Sequence, residues 1–460
     1  MENGNGETGM QKYSGRDSSS ESVRGDRRVI FGWAMYDWAN SAYITTIAVA
    51  ILPMYFAGVI VPEKGFSIGG TLFAAETLWG FMVSAAAFIV FVMAPALGAI
   101  ADYCSAKKRF LFTFCAMGVT AATLIPIAGR GDVWLTIVLF VISQVGFVGG
   151  NVFYDAFLPQ IAEPGQEDRV SSKGFAYGYV GGGIQFAGAL LLIALHDTFG
   201  LTQSGAARIG MLTAALWWGG FAALAAYFLR EPKSRRVRRP PPFPGYAGYL
   251  VLGYARVWRT LRQVRKLKFL AVFLLAFLIY NEGVQTVIQM ATIYGKQELK
   301  LSATALMVTL LLVQIVAVFG ALSFSWIAGR TGTKRAVMLS LLVWSGVVIY
   351  AYFITTAVQY FILGIIVGLV LGGSQAISRS FYSTMIPEDS GAEFFAFYSV
   401  VNKFSAVWGP FIFALIRHWT GSSRNAILSV IIFFLLGIFL LSLVDEQKAR
   451  MARKDFVLDD

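Results

Sequence analysis

Cysteine and histidine are almost missing from this 460-residue sequence, which holds only Cys104, Cys115, His196 and His418. Two of each, scattered along the chain, assemble neither a disulfide framework nor a Cys/His zinc site, so no metal and no cofactor is expected. Charge is scarce too. Asp, Glu, Lys and Arg make up 14% of the residues against 57% hydrophobic, and the mean hydropathy is +0.63, outside the range of a soluble globular domain. The composition therefore implies an integral membrane protein. Acids are fewer than bases, 26 against 38, which leaves a formal charge of +12. Such an excess could serve nucleic acid, but the bases fall mainly in short loops on one side of the predicted spans. That is the positive-inside pattern, and no nucleic-acid partner is expected. A G-x-x-x-x-G-K-[ST] phosphate loop is absent as well, which argues against ATP-driven transport by this chain alone.

What is present is a succession of apolar runs of about 20 residues, the length that crosses a bilayer. They lie near 30–58, 76–100, 110–129, 133–157, 173–195 and 208–229, and again near 269–294, 303–328, 337–355, 357–379, 394–417 and 424–444. The predicted fold is all-α with twelve transmembrane helices, six on each side of a strongly basic stretch. Residues 1–28 read as a disordered cytoplasmic tail, rich in Gly, Ser and Asn, without the apolar core of a signal peptide. Two bundles follow, at 29–229 and 269–445, joined by a basic linker at 230–268 and ending in a tail at 446–460. The linker carries Arg235, Arg236, Arg238 and Arg239 in a Pro-rich segment, against a single acid, Glu231. Its second part has Leu250, Tyr254, Val257, Leu261 and Val264 at helical spacing, an amphipathic pattern suited to anionic inner-leaflet lipids or to a plain tether. Bases in alternate loops put both termini inside, and a bacterial inner membrane is the expected location.

The halves echo each other. Asp102 with Lys107, Lys108 and Arg109 follows span two, and Gly329, Arg330, Lys334 and Arg335 follow span eight, with Gly329 where an aspartate would stand. Two six-span halves joined by a long inner loop resemble the layout of a major facilitator transporter. In that superfamily this turn helps hold the inner ends together, a role the resemblance extends to Asp102, Lys107, Lys108 and Arg109. The run from Gly32 through Tyr36, Asp37, Trp38, Asn40 and Ser41 to Tyr43 resembles the opening motif of the vacuolar amino-acid effluxer-like branch, which includes the autophagy-related vacuolar permease of fungi. Tyr154–Pro159 with Ser171–Gly174, and Gly372–Ser380 with Ala392–Phe395, are similar to that branch's later loops. The resemblance implies alternating access and small zwitterionic substrates such as neutral amino acids.

Ionisable and amide side chains inside hydrocarbon need a partner or a water-filled cavity, so the few here are functional candidates. Asp37, Asn40 and Ser41 share one face of span one; a later helix start would instead make Asp37 a first-turn acid favoured by the helix dipole. Asn281, Glu282, Gln285 and Gln289 form a polar stripe on span seven, where burial of Glu282 would favour its protonated form and suit proton coupling, or would make it hydrogen-bonding glue. Lys403 on span eleven is too deep for easy snorkelling and calls for an acid or an anionic substrate group. Asp155 and Arg379, at the inner ends of spans four and ten, could bridge the halves as a gate or merely mark topology. The expectation is a secondary transporter of a small solute, not an enzyme, with substrate or protons contacting Asp37, Asn40, Glu282, Gln285, Gln289 and Lys403. A proton-coupled exporter of drugs or organic cations would use the same groups. A non-transporting receptor or an intramembrane enzyme would need a soluble domain or a deep nucleophile with a base.

Overall fold

The structure, a computed structural model, describes residues 23–73, 75–231, 251, 255, 258, 267–387, 391–405, 408–420 and 422–455. The first half contains α1 (Arg27–Ala42), α2 (Ala75–Cys104), α3 (Lys107–Leu124), α4 (Val133–Asp155), α5 (Glu167–Ala194) and α6 (Gln203–Phe228). Past α1 the first pass runs on to Ile60, through wider π-helical turns at Tyr43–Ile51 and Phe56–Ile60. A hairpin of β1 (Phe66–Ile68) and β2 (Thr71–Phe73) separates it from α2. The second half contains α7 (Lys268–Gln297), α8 (Ala303–Thr331), α9 (Thr333–Phe353), α10 (Ala357–Met385), α11 (Gly391–Phe404), α12 (Trp408–Thr420), α13 (Ser423–Ser429) and α14 (Ile431–Ser442), followed by a charged helix α15 (Glu446–Asp455). Among the described residues, 10 passes are long and apolar enough to cross a membrane. With α2 and the α11–α12 pair they make the twelve passes expected from the sequence. The predicted linker and its amphipathic segment lie outside the described residues, apart from positions 251, 255 and 258.

Local chemistry sets the helix starts. Asp26 accepts the N–H of Arg28 at 2.8 Å, Thr202, Ser302 and Ser422 cap α6, α8 and α13 in the same way, and Thr356 with Gln359 forms a capping box on α10. Each cap satisfies N–H groups that a first turn leaves open. Between α8 and α9 the chain turns at Gly332, whose φ of +91° is accessible to glycine and strained for other residues.

Helices extend past the apolar windows that marked them in the sequence. α10 has 29 residues, roughly 43 Å at 1.5 Å per residue, against a hydrocarbon core of about 30 Å. Its last two turns bury Ser378, Arg379, Ser380, Ser383 and Thr384 against protein, so the helix survives where an apolar window ends. Span eleven, expected as one run over 394–417, ends its first helix at Phe404 with Ser405 in a turn, and helix is described again from Trp408. Span twelve, expected over 424–444, divides at Val430.

The turns carrying the bases do different work in the two halves. Lys107 Nζ lies 2.8 Å from Asp102 Oδ1, both buried, and the Glu231 carboxylate accepts the backbone N–H groups of Lys107 and Lys108 at 2.8 and 3.0 Å. The one acid of the basic stretch thus caps α3 and ties it to the end of α6, while the Arg109 side chain is exposed. Burial raises the Glu231 carboxyl above its usual range, and the two N–H donors act against that rise. In the second half the sign is reversed: Lys334 Nζ donates to the carbonyls of Ser442 at 3.0 Å and Val444 at 2.7 Å, neutralising the C-terminal end of α14. Replacing Glu231 by Ala is expected to destabilise the first half by about 1 kcal/mol, the usual cost of losing a helix cap, measured as a lower thermal midpoint in detergent.

Candidate functional site

A cavity of about 440 Å³ lies between the halves, within the size range of small-molecule sites. Four helices supply most of its polar wall by the i, i+3, i+4 rule that puts side chains on one face. α1 contributes Asp37, Asn40 and Ser41; α4 contributes Asn151, Tyr154 and Asp155; α7 contributes Asn281 and Gln285; α10 contributes Gln375, Ser378 and Arg379. Asn40 Nδ2 donates to Asn151 Oδ1 at 2.7 Å, and Asn281 Nδ2 donates to Asn402 Oδ1 at 2.7 Å and to Ser405 Oγ. A second, apolar cavity of about 210 Å³ adjoins it, sharing Thr45 and Gln314, which are joined by a 2.8 Å hydrogen bond from Gln314 Nε2 to Thr45 Oγ1.

At the end of the cavity nearer the chain termini, Arg379 crosses from the second half into the first. Its Nη1 lies 3.1 Å from Asp155 Oδ1 and 3.6 Å from Asp37 Oδ2. Its Nε donates to Ser171 Oγ at 3.0 Å and its Nη2 to the Ser171 carbonyl at 2.9 Å. The guanidinium carbon also sits 4.1 Å from the Phe175 ring centre, 4.9 Å from Trp33 and 5.5 Å from Tyr154. Those rings are fixed in turn. Trp33 stacks on Tyr154 with centroids 4.5 Å apart and donates from Nε1 to the Tyr154 carbonyl at 2.9 Å, and the Tyr154 hydroxyl donates to Asp37 Oδ2 at 2.9 Å. Gly174 lets α5 approach this stack, since a Cβ there would lie 2.7 Å from Trp33 Cζ3.

Further bonds join the halves at the same end. Ser171 Oγ donates to the Ala376 carbonyl at 2.7 Å, Tyr179 donates to Gln375 Oε1 at 2.6 Å, and Thr333 donates to Asp168 Oδ2 at 2.7 Å. The cavity is shut there. Two carboxylates face one guanidinium, which leaves one negative charge in excess in a buried place, and a proton or a ligand's cationic group would balance it.

The structure sorts the sequence candidates. Asp37, Asn40 and Gln285 line the cavity, and Asp155 and Arg379 meet. The alternative of a first-turn acid fails for Asp37, because α1 starts at Arg27, nearly three turns earlier. Glu282 is buried off the cavity wall, where its Oε1 accepts the N–H of Gly409 at the start of α12. One residue along a helix turns the side chain by about 100°, which separates Glu282 from Asn281. Gln289 is exposed and lines neither cavity. Lys403 lies within α11, its side chain outside the described residues. Asp102, Lys107 and Lys108 tie α2, α3 and Glu231 together inside the first half. Trp33, Tyr154 and Ser171 carry site geometry that no polar spacing singles out, although all three fall in the stretches that carry the family resemblance. Phe175 gives no sequence signal.

Known proteins agree with this architecture. Residues 25–454 match the family described as "Vacuole effluxer Atg22 like". The chain is 32% identical over 419 residues to the uncharacterized MFS-type transporter YxiO of Bacillus subtilis (strain 168), covering 90% of this chain and 94% of that one. It is 23% identical to autophagy-related protein 22 of Coccidioides immitis (strain RS), over 97% of this chain and 90% of the relative. Among solved structures, the proton:xylose symporter XylE superposes with a TM-score of 0.67 at 12% identity, covering 92% and 96% of the two chains. The human organic anion transporter MFSD10 gives 0.66 at 12% identity, covering 90% and 99%. At such low identity these two show the fold alone. The family match across both bundles, together with the Bacillus relative of nearly equal length, shows that this chain is a multi-pass membrane transporter of the major facilitator superfamily and belongs to the Atg22-like vacuole effluxer family.

Proposed function

We propose that this transporter moves a small zwitterion, a neutral amino acid in the simplest case, by alternating access coupled to protons. The observation that carries the reading is that the ion trio shutting the cavity also lines it. A zwitterion brings one ammonium and one carboxylate, so it can stand between Arg379 and the aspartates and leave each half with a partner. A solute of one sign satisfies only one of them. The excess negative charge gives a proton its place when no ammonium is bound. The adjoining apolar cavity, 210 Å³, offers room for a nonpolar side chain. The aromatic faces around the trio favour a second reading, proton-coupled export of organic cations. The basic turns and the Bacillus relative support a bacterial plasma membrane with both termini on its cytoplasmic face as part of this reading.

Flux of labelled amino acids into liposomes, with and without an imposed pH gradient, tests the reading. Accumulation should follow the gradient in the unaltered protein. In Asp37→Asn it should fall about tenfold or more, the scale of one lost charge-assisted contact. Absence of amino-acid flux in folded protein would overturn the substrate and leave the transporter standing.

A further inference from the structure

The seat of Arg379 is built from one side only. Asp37, Asp155, Trp33, Tyr154 and Phe175 all belong to the first half, and the second half contributes the guanidinium they hold. Three aromatic faces and two carboxylates form a receptor for a flat or alkylated cation, and in this conformation the protein fills it with its own side chain. When the halves part at this end, Arg379 leaves with α10 and the seat empties toward the cavity, since Asp37, Tyr154, Asp155 and Phe175 already line it.

We propose that the vacated seat is the cation subsite of the transported ligand, so that Arg379 is a tethered competitor for the substrate's ammonium, amidinium or guanidinium group. The inference rests on the reading of this cavity as the transport site and adds which half holds the cationic end. Ligand and closed end then exclude each other. Binding of a cation drives the inner end open, by the population-shift rule that a ligand favours only the state it binds better. In the unaltered protein the apparent affinity for a cation is reduced by the fraction of molecules in which Arg379 has left. A solute without a positive group, such as a sugar or a carboxylic acid, gains nothing from the seat.

Methylguanidinium and tetramethylammonium are the probes, with urea and acetate as controls, on the full chain in detergent or nanodiscs. Gln166 and Arg335 are exposed on opposite halves at the closed end, near the Asp168–Thr333 contact. Spin labels at Gln166→Cys and Arg335→Cys, with Cys104 and Cys115 replaced by Ala, should move apart with either cation and stay put with urea or acetate. In Arg379→Ala, which removes the competitor, methylguanidinium should bind about tenfold or more tightly than to the unaltered protein. Arg379→Gln serves if the Ala variant does not fold. A label distance unmoved by either cation, binding no tighter without Arg379, or equal binding of urea would each overturn the proposal. None of these readouts uses flux, so an amino-acid result that sinks the substrate reading leaves this one to stand or fall separately.

Discussion

Arg379→Ala is expected to abolish transport while leaving protein in the membrane, and Arg379→Lys is expected to recover little of it. The alanine variant leaves Asp37 and Asp155 buried and facing each other without their counter-charge, a loss on the scale of 3–5 kcal/mol when one partner of a buried pair is removed. That scale corresponds to a hundredfold or more in any equilibrium that depends on closing this end. Lysine restores the charge but not the fork: Arg379 uses Nε and Nη2 on Ser171 while Nη1 faces the aspartates, and its guanidinium carbon lies 4.1 Å from the Phe175 ring centre and 4.9 Å from that of Trp33. An ammonium is a point donor and cannot span those positions. Vesicle flux with matched protein amounts measures the effect. Transport by Arg379→Ala within about threefold of the unaltered protein would show that the ion trio does not control closure, since a lost buried pair should cost far more.

A large stability effect of a different origin should come from a pair of glycines where α8 meets α10. α8 and α10 pack so closely that a Cβ on Gly372 would lie 2.0 Å from the Ala317 carbonyl oxygen, and one on Gly320 would lie 2.0 Å from the carbonyl oxygen of Leu369. Both obstacles are backbone, which cannot rotate aside. In a bilayer such close approach replaces the hydrophobic drive that helices lack among lipid tails, so small residues carry the packing. Gly372→Val should cost about 3 kcal/mol by forcing the helices apart, and the effect should appear as a much lower thermal midpoint or as failure to accumulate. Gly188→Ala is the control, because nothing lies within 4 Å of a Cβ there. A Gly372→Val protein as stable as the Gly188→Ala control would mean that α8 and α10 have room for a side chain between them.

Much of the architecture was legible because the bilayer imposes it. Apolar run lengths and base-rich turns follow from the cost of polar groups in hydrocarbon, and that cost acts residue by residue. Asp37 and Asn40 could be placed on one face from spacing alone, and so could Asp155 and Arg379 on theirs. Spacing also grouped Glu282 with Asn281 and Gln285, yet Asn281 and Gln285 line the cavity while Glu282 meets the backbone of Gly409 at the start of α12. Neighbours in a polar stripe diverge by about 100° per residue, and only the packing of α7 decides which of them meets the cavity and which meets the neighbouring helix.

Taken by itself, the sequence determined the solvent of this protein, the number of its passes and which side chains are too polar for lipid. Tertiary structure decided the pairings: that Arg379 reaches Asp37 and Asp155 across more than two hundred residues of chain, that Trp33, Tyr154 and Phe175 close around it, and that Glu231 caps α3. The division has a physical cause. Transfer from water to hydrocarbon is an additive property of each residue and can be read in sequence order, whereas a buried ion pair depends on which helices touch, and at what depth, after the chain has folded.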